Sequence, residues 1–393
     1  MRFEGNFTQQ EPIPPEGIAA ATAIMEHGRL HRYNTVGDEL GETAALEREF
    51  AEYTGAKFAL AVTSGGYALA TALRAVGVES GAKVLTNAFT LAPVPGSVAA
   101  VGASAVFVET TEALVIDLDD LAEKAAKTGA RILMLSHMRG HQPDMAALMS
   151  IADTHGLTVI EDCAHTMGGR SGNVMSGRHG AVGCFSSQTY KHINSGEGGF
   201  LITDDAEIAA RATLLSGSYM LYPRHGAGPD LETFEPLRDA VPNISGRMDN
   251  LRAAILRPQL GLLQDRVARW AKLHDAMEDG LRHVPGVQLI ARDPGLERVG
   301  SSFQFVMPEK REDWIAEFVT RCAARGVELK WFGAARAQGF TSSHRNWSYA
   351  GRANLPRTDR VLAGLLDMRL PLTFTVEDCA VIAQIIAEEA ALV

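Results

Sequence analysis

Three stretches of the chain hold side chains whose types and spacing could do chemistry. The first is Ser64-Gly65-Gly66, where an apolar run over 58–64 meets a helical pattern over 66–77. Glycines let backbone N–H groups approach an anion, and a helix start favours negative charge. Read alone, this turn is either a phosphate cradle or an ordinary strand-to-helix turn. It is neither a G-x-G-x-x-G fingerprint nor a P-loop. The second stretch, Glu161-Asp162-Cys163-Ala164-His165, closes another apolar run. A carboxylate there can hold a protonated heterocyclic nitrogen through a charge-assisted hydrogen bond, and His165 could reach the same ligand. The plain alternative is a capping aspartate and a core histidine. In the third, Lys191 sits between Ser186-Ser187 and Gly196-Glu197-Gly198-Gly199. A semi-buried lysine can lose part of its charge and become nucleophilic toward carbonyls, although most lysines end on the surface. A phosphate cradle, an acid for a ring nitrogen and a Schiff-base lysine are together the needs of one cofactor, pyridoxal 5′-phosphate (PLP).

The elements that must position these groups are legible as short apolar runs alternating with helical patterns between residues 58 and 205. Runs at 58–64, 83–89, 104–110, 131–137, 158–164 and 198–204 read as strands, with a weaker one at 184–188. Leu69, Leu73 and Val76 mark one helical stripe; Met145, Leu148, Met149 and Ala152 mark another, started by Pro143-Asp144. Strands apolar throughout and separated by helices predict an α/β fold with a mainly parallel central sheet and flanking helices. Ligands of such sheets bind beyond the carboxyl ends of the strands. Residues 217–246 read as a long Gly- and Pro-rich loop, of the kind that is usually functional. A helical pattern over 249–283 contains Pro258, where a kink is expected. Mixed signals fill 287–393, with a helix near 376–391, so a large domain over 1–250 and a smaller α/β domain over 251–393 are expected.

Composition narrows the class. There are 37 Lys+Arg against 47 Asp+Glu in 393 residues, a net charge of −10 that disfavours a nucleic-acid partner. The four cysteines form no C-x-x-C pair, which removes zinc-ribbon and thioredoxin-type readings and suits a reducing compartment. The N-terminus lacks the apolar core of a signal peptide, and no run of 18 apolar residues occurs. A cytoplasmic protein without a membrane partner is the expectation. His137 and His141 have a metal-like spacing but no third ligand, so no metal is expected.

With these motifs in place, the chain resembles the DegT/StrS-type sugar aminotransferases among the fold-type I PLP enzymes, from about residue 30 to the end. The landmarks are TSGGYAL (63–69), LTNAFTLAP (85–93), SHMRGHQPDM (136–145), VIEDCAHTMGG (159–169), FSSQTYKHINSGEGG (185–199) and GRMDNLRAA (246–254), with a weaker match over 354–372. The resemblance implies PLP as cofactor and Lys191 as the lysine of the internal aldimine. It pairs Asp162 with the pyridine nitrogen and sets His165 near the phenolic oxygen. Phe89 becomes an aromatic plate against the ring, with Ser64, Gly65, Gly66 and Ser186 at the phosphate. It also implies a homodimer in which the segment around Ser245 and Arg247 reaches the neighbouring subunit's phosphate site. Four departures stand out. Gly66 replaces the usual Thr, Ser245 replaces the usual Asn, and SSQTYK replaces an aromatic-rich stretch. GVELKWFGA (326–334) replaces a substrate-facing histidine-tyrosine segment, so the acceptor need not be a typical nucleotide-linked keto sugar.

The implied function is amino-group transfer from glutamate or glutamine to a keto sugar, keto cyclitol or related ketone. Rivals on the same scaffold are a PLP-dependent dehydratase, lyase or aromatising enzyme, and a non-enzymatic regulator. Sugar dehydratases of the family carry His where this chain has Lys191, and a regulator would not need Asp162 and Lys191 together. Trp331, Phe332, Trp347 and Tyr349 could line the acceptor pocket or simply pack. Arg224 and His225 could meet a substrate anion, with solvent exposure as the simpler reading. Cys163 reads as a buried small residue rather than a reactive one.

Overall fold

A computed structural model describes residues 1–291, 293 and 295–392. Its strands, in chain order, are β1 (Phe58–Val62), β2 (Lys83–Asn87), β3 (Ser104–Val108), β4 (Ile132–Ser136), β5 (Thr158–Asp162), β6 (Arg170–Ser171) and β7 (Val174–Met175). Then follow β8 (Val182–Ser186), β9 (Gly199–Thr203), β10 (Gln288–Leu289), β11 (Leu296–Glu297), β12 (Ser302–Val306), β13 (Lys330–Trp331) and β14 (Leu365–Arg369). The main sheet runs β1-β9-β8-β5-β4-β2-β3. Its pairings are parallel except those of β9, which opposes both β1 and β8. Every strand expected between 58 and 205 is present, and the chemistry-bearing stretches follow the carboxyl ends of β1, β5 and β8.

Local sequence explains the elements that matter. Helix Gly65–Ala75 starts where Ser64 Oγ accepts the Tyr67 N–H at 3.1 Å. Helix Met145–His155 starts where Asp144 Oδ1 accepts the Ala147 N–H, and it stops at left-handed Gly156. The final helix, Val376–Ala390, opens on a reciprocal capping box between Thr375 and Asp378.

A second sheet, β10-β12-β14-β13, is antiparallel throughout. Side chains alternate across it. Phe303, Phe305, Leu366 and Met368 enter a core shared with helices Leu263–Leu281, Glu312–Ala324 and Val376–Ala390. Register puts Ser302, Gln304, Lys330, Asp367 and Arg369 on the opposite face. That polar face turns toward the main sheet, where His141 meets Gln304 at 2.9 Å.

Three further features stand out. The long helical pattern breaks after Gly261, at Leu262, and not at Pro258, which lies inside helix Asn250–Gly261. Residues 217–246 are not all loop: helix Leu231–Phe234 and a 3-10 turn at Tyr222–Arg224 pack Tyr222, Phe234, Leu237 and Val241 onto the main-sheet core. Packing crosses position 250 in both directions. Helix Asn250–Gly261 lies against helices Pro15–His27 and Glu42–Thr54, while Phe3 and Phe7 join the core of the second sheet. No helix among the described residues is long and apolar enough to cross a membrane.

Candidate active site

Parallel pairing sets Ser136 of β4 level with Asp162 of β5. The Ser136 hydroxyl donates to Asp162 Oδ2 at 2.8 Å, and the Ala164 N–H donates to Oδ1 at 3.2 Å. Asn87, ending β2, holds Ser136 in turn: its Oδ1 accepts the Ser136 N–H at 2.8 Å. One residue over, on the other face of the sheet, Glu161 Oε1 accepts the His179 and Gly180 N–H groups, both at 2.8 Å. Its Oε2 accepts the Gly177 N–H at 3.0 Å and lies 2.9 Å from His137 Nε2. Burial alone would raise the Glu161 carboxyl, but the His137 contact and these amides outweigh it and hold its pKa below the usual value.

Lys191 Nζ lies 2.9 Å from His165 Nε2. His165 Nδ1 accepts the Arg139 backbone N–H at 3.3 Å, which leaves the imidazole proton on Nε2, facing Lys191. An Nε2–H can only be accepted by a neutral amine. Burial first, then the charge of Arg139, lowers the Lys191 pKa to about 7, against the pull of Asp162. Burial, followed by the Lys191 charge, keeps the His165 imidazole well below its ordinary pKa and therefore neutral. The two observations agree on a neutral His165 beside a Lys191 amine that becomes mostly uncharged above about pH 7.

The turn after β1 meets the end of β8. A Cβ on Gly65 would stand 2.9 Å from Ser186 Cβ, and a Cβ on Gly199 would stand 2.5 Å from the Ser64 carbonyl carbon. Only glycine permits these approaches. Ser64 caps the Tyr67 amide, which leaves the Gly65 and Gly66 amides without intrahelical acceptors, and Gly65 adjoins the Ser186 hydroxyl. Phe89 is buried two residues beyond β2, its ring edge-on to Phe332 at 5.2 Å. Ser245 is exposed, next to Gly246, whose carbonyl accepts the Thr63 N–H at 2.9 Å. Arg247 donates to the Gly217 carbonyl.

The sequence reading had not singled out the rest of the site. Arg139 occupies a left-handed conformation, with φ of 58°, in the turn after β4, a strain typical of functional positions. Its guanidinium Nη2 lies 2.7 Å from Asp367 Oδ2, both side chains buried. The atoms are close but misaligned, and neither completes a hydrogen bond among the described residues. Arg369 stacks 3.7 Å over the Tyr190 ring, beside Lys191. The alternation of polar and apolar residues in β12 and β14 is the signal that could have pointed to this face.

Other candidates go elsewhere. His137 and His141 take different partners, Glu161 and Gln304. His225 is buried against Tyr33 at 3.0 Å, and Arg224 donates to the Tyr33 carbonyl at 2.7 Å. Burial pushes the Cys163 thiol well up. Trp331 donates to the Ala363 carbonyl, Trp347 packs on Phe107, and Tyr349 is exposed.

The donor set fits PLP: backbone amides and a hydroxyl for a phosphate, a buried carboxylate for a ring nitrogen, and a neutral amine for an aldehyde. Comparison with known proteins agrees. The chain is 30% identical over 365 residues to a dTDP-3-amino-3,4,6-trideoxy-alpha-D-glucose transaminase of Streptomyces venezuelae, covering 91% of this chain and 88% of the relative. It is 35% identical over 248 residues to an L-glutamine:scyllo-inosose aminotransferase of Streptomyces griseus, covering 63% of this chain and 58% of the relative. The crystal structure of 3-amino-5-hydroxybenzoic acid synthase superposes with a TM-score of 0.85 at 24% identity, covering 99% of each chain. Residues 14–387 match the DegT/DnrJ/EryC1/StrS aminotransferase family, and the chain belongs to that family of PLP-dependent aminotransferases.

Proposed function

We propose that the chain moves an amino group from glutamate or glutamine to a keto sugar, keto cyclitol or related ketone, with Lys191 as the lysine that binds the cofactor. The relatives' names supply the substrate classes. The observation that carries the residue assignment is the 2.9 Å contact of Lys191 Nζ with His165 Nε2, whose tautomer the Arg139 N–H fixes.

In this reading Gly65 and Gly66 amides and the Ser186 hydroxyl hold the phosphate, beside the Ser64 cap. Phe89 flanks the ring. Asp162, aimed by Ser136, keeps the ring nitrogen protonated through a charge-assisted hydrogen bond. His165 Nε2–H donates toward the cofactor's phenolic oxygen. Bound PLP supplies an electron sink for the carbanion at the substrate's amino-bearing carbon. The neutral amine of Lys191 takes the proton from that carbon and returns it. Ser245 would complete the phosphate site of a neighbouring subunit, in a homodimer. Exposed Met220, Leu231 and Ile244 near that segment support an interface there. Four free, buried cysteines fit a cytoplasmic location.

Borohydride reduction of the holoenzyme followed by peptide mass spectrometry should place a pyridoxyl group on Lys191. Lys191→Ala should stay folded, lose that adduct, and lose turnover by roughly 10²–10⁴-fold, the scale of a general acid–base group. An adduct on any other lysine overturns the assignment. Sedimentation as a monomer at micromolar concentration would reject the dimer.

A further inference from the structure

Positive charge is in excess on the wall of the site that faces Lys191 from the second sheet. Lys330 of β13 stands opposite Asp367 of β14, and Arg369 lies two residues along on the same face. Arg139 closes the group from the main-sheet side through its 2.7 Å approach to Asp367. These are three cations against buried Asp367 and the exposed Glu328, and Asp367 already accepts a hydrogen bond from Gln304 Nε2 at 2.8 Å. Lys330 Nζ is buried and has no hydrogen-bond partner among the described residues, and the same holds for Arg139 Nε and Nη2. Buried donors and charges left this way are costly unless a ligand completes them.

The cluster reaches Lys191 by two routes. The backbone N–H of Arg139 donates to His165, which contacts Lys191. Arg369 lies over Tyr190, the residue before Lys191. The turn at Gly65 and Gly66 instead adjoins Ser186 and Pro93. The phosphate side and this cationic wall are therefore separate surfaces. Lys330 also belongs to the 326–334 segment that departs from the family pattern.

We infer that Lys330, Arg369 and Arg139 form an anion subsite that takes a carboxylate borne by the substrate close to its reacting carbon. Planar guanidinium groups match a carboxylate, and the enclosed donors beside Lys191 favour a compact anion over a bulky nucleoside diphosphate. Two sources share this chemistry: the α-carboxylate of the amino donor, and a ring carboxylate on the keto acceptor. The identity of the ligand rests on the aminotransferase reading; the existence of an anion site does not.

Glutarate, an unreactive dicarboxylate, should bind the holoenzyme, and the neutral diamide glutaramide should not compete with it. In Lys330→Met and in Arg369→Leu, glutarate affinity measured by calorimetry should fall about tenfold or more, the scale of losing a charge-assisted contact. Lys330→Arg should recover most of it. Cofactor absorbance and the melting temperature show that each variant is folded and loaded. Unchanged glutarate affinity in both variants overturns the subsite, as does loss of the glutaramide control. Two half-reactions identify the source. A slower reaction of Lys330→Met with L-glutamine assigns the donor α-carboxylate. A lost preference of the amine-form enzyme for 3-oxocyclohexane-1-carboxylate over cyclohexanone assigns the acceptor. Wild-type enzyme inert in both half-reactions but still binding glutarate would sink the aminotransferase reading and leave the anion site standing.

Discussion

The two walls of the site are built on opposite terms. On the main-sheet wall, every oxygen of Asp162 and Glu161 has a donor: Ser136 and Ala164 for one, His137 and three backbone amides for the other. In the cluster that the second sheet forms with the Arg139 turn, Lys330 Nζ, two nitrogens of Arg139 and one oxygen of Asp367 lack hydrogen-bond partners among the described residues, and Arg139 and Asp367 meet only as a misaligned ion pair. A satisfied polar network is rigid and specifies one geometry, while an unsatisfied one is poised for a ligand. The difference teaches a division of labour. The first wall suits a cofactor that never leaves, and the second suits substrates that come and go.

The sharpest way to break that division is Asp162→Asn. The amide keeps the size; with its oxygen on the Ala164 N–H, its N–H₂ can donate to the Ser136 hydroxyl, which also accepts, so melting should move little. The charge proposed to face the ring nitrogen is gone, and turnover should drop about 10²–10³-fold, the scale of one preorganised electrostatic group. Near-wild-type turnover would remove Asp162 from the cofactor wall.

Glu161→Gln attacks the same wall from behind. An amide presents an N–H₂ to at least one of the donors that Glu161 now accepts. Loss of about 3 kcal/mol of stability is expected in chemical denaturation, the scale of breaking a buried charged pair. Molecules that remain folded should still load cofactor. A stable but inactive variant would make Glu161 part of the chemistry and blur the contrast.

A pH experiment sharpens the role of the cationic wall. Burial and Arg139 lower the Lys191 pKa to about 7, so its amine is mostly neutral above that pH. The neutral form attacks an aldehyde. Uptake of PLP by cofactor-free protein should therefore accelerate as pH rises through about 7 and then level off. An ordinary lysine would keep accelerating to about pH 10. Arg369 also lowers the Lys191 pKa, so Arg369→Leu should move the midpoint upward. A midpoint that stays put would separate the second-sheet wall from Lys191 electrostatically.

Sequence made the first wall legible and left the second mostly hidden. Ser64, Asp162 and Lys191 announce themselves locally, because each sits where an apolar run gives way to glycines or to a capping residue. Ser136 is invisible as a serine until parallel register sets it level with Asp162. Arg139, Lys330, Asp367 and Arg369 are separated by up to 230 positions, and only the antiparallel register of β13 and β14 and the Arg139–Asp367 approach unite them. Pro258 stays inside helix Asn250–Gly261, and the long helical pattern divides at Leu262, a point that no local residue type marks.

The smallest effect concerns two neighbouring glycines with opposite freedoms. A Cβ on Gly66 would meet only Pro93 Cβ, at 3.7 Å, which is ordinary contact. A Cβ on Gly65 would press on Ser186 Cβ at 2.9 Å. Gly66→Thr thus has room, sits in the first turn of its helix, and restores the hydroxyl that the family usually carries there. One added neutral hydrogen bond contributes about 1 kcal/mol, so cofactor retention in dialysis should improve roughly fivefold. Replacing a helical glycine also lowers the entropy of the unfolded chain, so melting should rise slightly. Gly65→Ala should do the reverse, because Ser186 must move away from the turn it adjoins. The pair discriminates between a phosphate cradle and a merely structural turn. If Gly66→Thr raises the melting temperature but leaves cofactor retention unchanged while Gly65→Ala impairs folding alone, the anion lies elsewhere. Opposite changes in retention, with both proteins folded, locate the phosphate between these amides and the Ser186 hydroxyl.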